Sequence, residues 1–571
     1  MKILENREKC LRYAFAILLF AFCIVFLMNS WVPRYPDPFG YLANAAGLSG
    51  YNWQDTTMQI QRVYAAGYSL LLVPFFWICK SFVALSKCAY FLNICLFVIY
   101  YFILCRIADS ILEDIFSKNV RSIICFIICL YPSNIYNIYT ITPEILSLFL
   151  TSLLFFLMIK FNSTKNIKLM YIAAVIVGYF ILVHSREIVF FCAFSLYVIY
   201  LAFIKDIDLK DFLKILLLLG ISLLIYKTFN KYINNNILNI MKLPDGAYTP
   251  NSLESQLNKS HALFTMAGIK QLIKNICSQS FYIQTSTFGL FFVGIFYLIK
   301  KTFLNLLKKD GTVYYIFILL CILGMILLSA FFFINAERFD QIMYGRHIET
   351  IAPIIILVSF NGITNIIGDV ISVLLTLFVG IVTIRRVSSL TFLGSIPRTI
   401  CGWELFYDNM QTDNIWLLIL CVLVILIGLS FIVIKKYNKI LFVELIGLMC
   451  VFSLASFNVI NREVSDNNLT RASYYQLVII MQYNNKKVYS TVGKYNYIVQ
   501  LMAYSEHVTV LKDDTLNNNQ GDYIIYTEKN LDHMMSDSFK KLKLELSNKG
   551  RIYIFGEKYI KYVENIGYEF E

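Results

Sequence analysis

Long uninterrupted apolar runs dominate this chain and limit what it can fold into. Of its 571 residues, 58% are hydrophobic and only 15% are charged, whereas a soluble domain averages about 25% charged residues. A membrane-crossing helix needs about 20 mainly apolar residues, and a run of that length must be helical because lipid cannot satisfy backbone hydrogen bonds. The sequence therefore predicts a polytopic α-helical membrane protein with about 13 transmembrane helices. The predicted spans are 12–31, 88–105, 121–137, 143–160, 169–184, 187–204, 212–229, 283–299, 313–334, 348–366, 370–386, 415–434 and 440–457.

Basic clusters between these runs predict the orientation. Lys and Arg gather beside one end of the spans, and membrane proteins keep such clusters in the cytoplasm. The N-terminus is therefore predicted to be cytoplasmic, and Arg385 and Arg386 are the main exceptions. The clusters are Lys2 to Arg12, Arg106 to Arg121, Lys160 to Lys168, Lys205 to Lys214, Lys300 to Lys309 and Lys435 to Lys439.

One apolar stretch does not fit this scheme. Residues 63–79 are apolar enough to cross, but counting them as a span would move every later basic cluster to the outer side. The stretch also contains Gly67 and Pro74. We interpret it as a juxtamembrane or re-entrant helix within a first outer loop, 32–87. A second outer loop is predicted at 230–282.

Residues 458–571 differ in composition from the rest. They hold 14 Lys and Arg and 14 Asp and Glu, so the net charge of +13 belongs to the 36 basic and 23 acidic residues of 1–457. A basic excess beside apolar spans reflects topology rather than nucleic-acid binding. Short β-type runs such as "DYIIYTE" and "RIYIFG" predict a small soluble α/β domain. An odd number of spans places this domain outside the cytoplasm.

Ionisable residues collect where the predicted spans end at the outer face. Burying such groups is expensive, so their convergence indicates a functional site. Each also has a plainer explanation: Asp37 and Glu144 as helix caps, and the arginines as contacts to lipid headgroups. No His or Cys spacing matches a metal site, although divalent-metal dependence stays open. The residues concerned are Asp37, Arg62, Glu144, Arg186, Arg338, Tyr344 and Arg346.

The order and spacing of these residues resemble the type C glycosyltransferases. The similarity is greatest to the branch that contains the protein O-mannosyltransferases and the bacterial aminoarabinose transferase of lipid A. Those enzymes follow span 1 with an acid in a D-x-x-x-Y-x-x-x-A context, which here is Asp37, Tyr41 and Ala45. An apolar helix opening at Gly67 and Tyr68 follows, and Glu144 stands where a later acid heads a span. Pro38 replaces the second acid of the D-E pair found in many members.

This resemblance implies transfer of a sugar from a polyprenyl-phosphate donor to a glycan, lipid or protein acceptor in the cell membrane. Asp37 would be the catalytic base, because single-displacement inversion needs one carboxylate. Arginine forks would stabilise the departing phosphate, with Arg186, Arg338 and Arg346 as the candidates, while Arg62 and Glu144 would position the substrate. The residues expected to bind substrate are Arg62, Tyr68, Glu144, Arg186, Arg338, Tyr344 and Arg346.

Two other classes of function remain open. A flippase or transporter of lipid-linked glycans predicts charges through the depth of the spans, whereas these lie at one rim. A lipid-linked glycan polymerase or ligase usually carries its arginines in a large late loop, and here an early loop holds the acid. The identities of the sugar and the acceptor are not encoded in any motif that we find.

Overall fold

The computed structural model describes most of the membrane region and portions of the C-terminal region. Arg62, one of the predicted substrate-binding residues, lies outside the described residues. The described residues are 2–29, 36–51, 53, 64–237, 260, 263–308, 313–336, 338–363, 365–390, 399–406, 415–433, 445, 447–457, 487–490, 508–510, 523–527, 530–543 and 551–571.

The described residues are mainly helical, as the apolar runs predict. Short 3₁₀ turns at Ser185–Glu187, Glu349–Ile351 and Cys401–Phe406 join or flank the α-helices. The α-helices of the membrane region are α1 Lys2–Asn29, α2 Pro36–Leu48, α3 Gly67–Ile78, α4 Phe82–Ile111, α5 Lys118–Cys129, α6 Pro132–Ile138, α7 Glu144–Thr164, α8 Lys168–Val183, α9 Ile188–Phe203, α10 Leu209–Tyr232, α11 Met266–Ser286, α12 Leu290–Lys308, α13 Tyr314–Phe332, α14 Phe339–Ile342, α15 Gly345–Ile348, α16 Ala352–Gly362, α17 Ile366–Ser388 and α18 Ile415–Val433.

Nine helices among the described residues are long and apolar enough to cross a membrane. Three further apolar helices are shorter: α3, α8 and Gly447–Phe457. The polytopic α-helical class is thereby confirmed, and the chain is a multi-pass membrane protein. The count of about 13 spans and the division at residue 457 stay predictions.

Two helix boundaries differ from the simple reading of the apolar runs. The predicted span 121–137 is divided into α5 and α6 at Pro132, which occupies the first turn of α6. Proline has no N–H to continue a helix but suits a helix start. Helix α11 occupies the last portion of the predicted loop 230–282 and ends at Ser286, so the next helix begins only at Leu290.

The region predicted to be re-entrant contains α3, a helix of 12 residues. At 1.5 Å per residue it is about 18 Å long, which is short of the roughly 30 Å hydrocarbon core. Close packing fixes its position, because a Cβ on Gly67 would lie 2.7 Å from the backbone of Leu182. Tyr179 OH also donates a 2.7 Å hydrogen bond to the Gly67 carbonyl.

Helix α4 gives the membrane region two distinguishable ends. Asn93 accepts a hydrogen bond from Tyr68 OH at 3.0 Å and donates to the Thr140 carbonyl at 2.8 Å. Sixteen residues along the same helix, about 24 Å away, Asp109 binds Arg12 through two hydrogen bonds of 2.8 and 2.7 Å. We call these the Asn93 end and the Asp109 end.

The described C-terminal region forms a mixed five-stranded sheet with strand order β2-β1-β3-β5-β4. β1 pairs in parallel with β2 and β3, and β5 pairs antiparallel with β3 and β4. Tyr523, Ile525 and Tyr553 contribute to a separate small apolar core. The elements are β1 Lys487–Ser490, β2 Val508–Val510, β3 Tyr523–Thr527, β4 Phe539–Lys541, β5 Arg551–Phe555 and α19 Glu557–Asn565.

Candidate active site

A single arginine joins the two acids that the sequence placed at the outer face. Arg346 Nη1 lies 2.7 Å from Asp37 Oδ2, and Arg346 Nε donates to Glu144 Oε1. All three side chains are buried. A buried ion pair is retained only where partners offset the loss of hydration, so these three residues form one unit.

Asp37 lies in the first turn of α2, which begins at Pro36. A carboxylate there is favoured by the positive end of the helix dipole. Its other oxygen, Oδ1, accepts a 2.8 Å hydrogen bond from Tyr64 OH. The Asp37 carboxylate is thus held on one oxygen by a phenol and on the other by a guanidinium.

Tyr64 reaches Asp37 because Gly40 leaves space beside α2. A Cβ at position 40 would lie 2.0 Å from the Tyr64 ring. Asn44 Nδ2 donates to the Tyr64 carbonyl at 2.9 Å, so the backbone of Tyr64 is held as well. Tyr41 packs edge-on against the ring, with centroids 5.0 Å apart, and burial raises the pKa of Tyr41 well above that of an ordinary tyrosine.

Glu144 is the first residue of α7, directly behind Pro143. Arg186, in the turn before α9, places Nη1 3.8 Å from Glu144 Oε1 and 3.0 Å from the Arg346 carbonyl. Its Nε donates to Glu187 at 3.2 Å. Nη2 of Arg186 is buried and has no hydrogen-bond partner among the described residues.

Three of the residues predicted to bind substrate make their described contacts with residues other than these four. Arg338 forms a forked pair with Asp340, with distances of 3.0 and 2.9 Å. Tyr344 packs against Phe333, with ring centroids 4.4 Å apart. Tyr68 donates to Asn93 rather than to an acid. The structure therefore assembles Asp37, Glu144, Arg186 and Arg346, and it leaves Arg338, Tyr344 and Tyr68 in other contacts.

Two residues of this region, Tyr64 and Glu349, carry no signal in the sequence that marks them as functional. Tyr64 lies three residues before Gly67, but no pattern showed that its hydroxyl meets an acid. Glu349, three residues after Arg346, accepts hydrogen bonds from Tyr282 OH and, at 3.0 Å, from Gly402 N–H. These partners come from distant segments, so spacing along the chain could not reveal them.

Within the described ranges, no group of three or more His, Cys, Asp or Glu side chains has a metal-binding arrangement. The described side chains of this site can provide acid–base chemistry and charge stabilisation: an anchored carboxylate, a guanidinium that bridges two acids, and a second guanidinium whose Nη2 has no hydrogen-bond partner among the described residues.

The helical membrane bundle has the fold that the resemblance to the type C glycosyltransferases predicted. One solved structure that it resembles is ArnT from Cupriavidus metallidurans bound to undecaprenyl phosphate, with a TM-score of 0.53 and 9% identity. The match covers 95% of this chain and 97% of that one. At this identity the likeness defines the fold and not the substrate.

Weaker matches include ArnT from the same organism in the apo state, with a TM-score of 0.49, 8% identity, and coverage of 96% of this chain and 99% of that one. The apo oligosaccharyltransferase of Archaeoglobus fulgidus gives a TM-score of 0.41 and 9% identity over 88% of this chain and 65% of that one. No family model matches the sequence. No curated protein matches it either.

Proposed function

We propose that this protein is an inverting glycosyltransferase that moves a sugar from a polyprenyl-phosphate donor to a hydroxyl group of a cell-envelope acceptor. One observation carries the proposal: Asp37 is buried and anchored by Arg346 in a cluster that also contains Arg186. The fold supports it, since the ArnT structure that this chain resembles is bound to undecaprenyl phosphate.

Asp37 is the base in the proposed reaction. The acceptor oxygen attacks the anomeric carbon as its proton passes to the Asp37 carboxylate. The bond between the anomeric carbon and the phosphate oxygen breaks, and its electron pair leaves with polyprenyl phosphate. This leaving group is a weak base and needs charge stabilisation more than a proton, so one carboxylate is enough.

Arg186 is the proposed phosphate ligand, because its Nη2 group is not used by the described residues. Arg346 is less free for this role, since its N–H groups bind Asp37 and Glu144. Among the described residues, the carboxyl groups of Asp37, Glu144 and Glu187 outnumber the two guanidinium groups of the site, which favours a further cation for a phosphate that enters it. Arg62, which the sequence predicted to position the substrate, is the proposed source of that charge, with a divalent cation as the other option.

Glu144 acts in this scheme through Arg346. Its Oε1 accepts a hydrogen bond from Nε of Arg346, and this contact directs Nη1 of the same guanidinium toward Asp37. A bidentate or bridging arginine is rigid because its N–H groups are coplanar. Glu144 is therefore a positioning residue for the arginine that holds the base.

The proposed site faces the outer side of the membrane. It lies at the Asn93 end, since Glu144 begins α7 close to Thr140, a partner of Asn93. Lys165, at the opposite end of α7 and about 30 Å away, pairs with Asp206 at 2.6 Å. Basic residues favour the cytoplasmic side, so the opposite end of α7, where the site lies, faces outward.

The C-terminal region is also placed outside by the odd number of predicted spans. There it would dock the acceptor or cover the site.

The test uses purified protein with a polyprenyl-phosphate hexose, and it measures release of polyprenyl phosphate. Release by the wild-type protein, and not by Asp37→Asn, is the expected result. Movement of intact donor across a vesicle membrane without cleavage would instead support the flippase alternative. Activity only with a diphosphate-linked glycan would support the polymerase or ligase alternative.

A further inference from the structure

Helix α11 is buried on all sides over its last three turns, where apolar side chains such as Phe281 and Ile283 alternate with polar ones. So many buried polar side chains are unusual in a helix whose neighbours are mainly apolar. The buried polar residues are Asn275, Ser278, Gln279, Ser280, Gln284, Thr285 and Ser286.

Asn275, Gln279 and Tyr282 share one face of α11, because they are spaced i, i+4 and i+7, and that face lies along the chain segment that leads to the proposed site. Asn275 Nδ2 donates to the carbonyls of Ala330 and Phe333 at 3.2 and 2.7 Å. Further along the helix, Tyr282 packs so closely on Gly345 that a Cβ there would lie 2.4 Å from the ring. Gly345 is the residue next to Arg346, so α11 runs beside the segment that presents this arginine.

Two side chains one turn before Tyr282, those of Ser278 and Gln279, have polar atoms without a hydrogen bond to any described residue. Gln279 is 0% exposed, and neither its Oε1 nor its Nε2 has a partner among the described residues. The Ser278 hydroxyl is buried and also lacks one there. Leaving such groups unpaired costs free energy, so natural proteins keep them mainly where they are used.

Gln284, on the same helix, shows the ordinary structural arrangement. Its Nε2 donates to Thr376 at 2.7 Å, and its Oε1 accepts from the Phe292 N–H at 3.0 Å. The two glutamines are therefore equally buried but differ in what they bind. The described residues satisfy Gln284 and do not satisfy Gln279.

We propose that Gln279 and Ser278 bind hydroxyl groups of the sugar that is transferred, an inference that rests on the proposed function. A primary amide supplies both a donor and an acceptor, which matches a hydroxyl group that can do the same. A phosphate would instead need cationic donors, and a prenyl chain would need an apolar surface. Gln279 thus contributes to recognition of the sugar rather than of the lipid carrier.

The experiment compares Gln279→Met with Gln284→Met, since methionine fills a similar volume without the amide. Binding is measured for two probes, a polyprenyl-phosphate hexose and the same polyprenyl phosphate without sugar. Wild-type protein should bind the glycosylated lipid more tightly. Gln279→Met should weaken that binding about tenfold, which corresponds to two ordinary hydrogen bonds, and should leave binding of the sugar-free lipid unchanged.

Stability supplies an independent readout. Gln279→Met should keep or raise the melting temperature, because it removes an unpaired buried amide, whereas Gln284→Met should lower it and leave sugar discrimination intact. The inference is overturned if Gln279→Met and Ser278→Ala both retain wild-type preference for the glycosylated lipid. The lipid-binding measurement does not depend on turnover. A negative result for Gln279 can therefore be distinguished from a failure of the proposed transfer reaction.

Discussion

Arg346 and Asp37 are 309 residues apart in the chain, yet Arg346 Nη1 lies 2.7 Å from Asp37 Oδ2. The contact joins the first turn of α2 to the short helix α15. Both residues are buried, and the same guanidinium also binds Glu144. The geometry of the proposed base therefore depends on a residue that comes late in the membrane region.

Replacing Arg346 by Met should strongly destabilise the protein. The change leaves Asp37 and Glu144 as buried carboxylates without their common cation, and breaking such a pair costs about 3–5 kcal/mol. Thermal or denaturant unfolding in detergent would measure the loss. Lys214→Met is the matched control, since Lys214 is 49% exposed and pairs with Asp211 at the surface, and such pairs contribute about 0–1 kcal/mol. Equal stability of the two variants would contradict the buried bridge.

Asp37→Asn should abolish most activity without unfolding the chain. The amide cannot accept a proton, and loss of a general base costs about 10²–10⁴ in rate. The measurement is release of polyprenyl phosphate under saturating donor. Asp109→Asn is a suitable control, because Asp109 binds Arg12 at the opposite end of α4. Near-normal turnover by Asp37→Asn would make Glu144 the next candidate base.

Gly40→Ala should reproduce the effect of Tyr64→Phe. The added Cβ would lie 2.0 Å from the Tyr64 ring, so the ring must move and its 2.8 Å hydrogen bond to Asp37 must be lost. A hydrogen bond to a charged group contributes about 1.5–3 kcal/mol, so we expect activity to fall about 10- to 100-fold in both variants. Gly220→Ala, with nothing within 4 Å of the new Cβ, should be active. If Gly40→Ala has wild-type activity, the hydrogen bond from Tyr64 to Asp37 is not needed for the reaction.

Arg186→Lys should weaken binding of undecaprenyl phosphate although the charge is kept. Lysine lacks the planar fork, and we expect the dissociation constant to rise about tenfold. Arg338→Lys provides the comparison, because the structure pairs Arg338 with Asp340. The sequence predicts that both arginines bind phosphate. A larger effect of the Arg338 variant would mean that Arg338, and not Arg186, is the main phosphate ligand.

The C-terminal region should lie on the outer side of the membrane. Ser536 is exposed in the described sheet region, and Ser536→Cys should react in intact cells with an impermeant thiol reagent. Ser163→Cys, exposed in the last turn of α7, should react only with a permeant one. The parent protein sets the background from the native cysteines. If Ser163→Cys reacts with the impermeant reagent and Ser536→Cys does not, the true topology is the reverse of the predicted one.

Much of the fold follows from features that are local in sequence. The apolar runs predicted α4, α7, α13 and α18 because a membrane helix satisfies its own backbone and needs only a sufficient length of apolar residues. Pro132 and the short α3 show the limit of that reading. Apolar composition alone does not determine whether a segment crosses the membrane, is divided into two helices, or re-enters on the same side. For α3, packing against neighbours such as Leu182 fixes the position.

The sequence by itself determined that ionisable residues collect at one end of the spans, because span length and charge fix how far each residue lies along a helix. Only the tertiary structure decided which of them meet. Arg346 bridges Asp37 and Glu144, whereas Arg338, eight residues earlier, pairs with Asp340. The physical reason is that depth along a helix is set by local sequence, while lateral neighbours are set by how distant helices pack. Contacts such as Tyr64 with Asp37 therefore exist only in the assembled bundle.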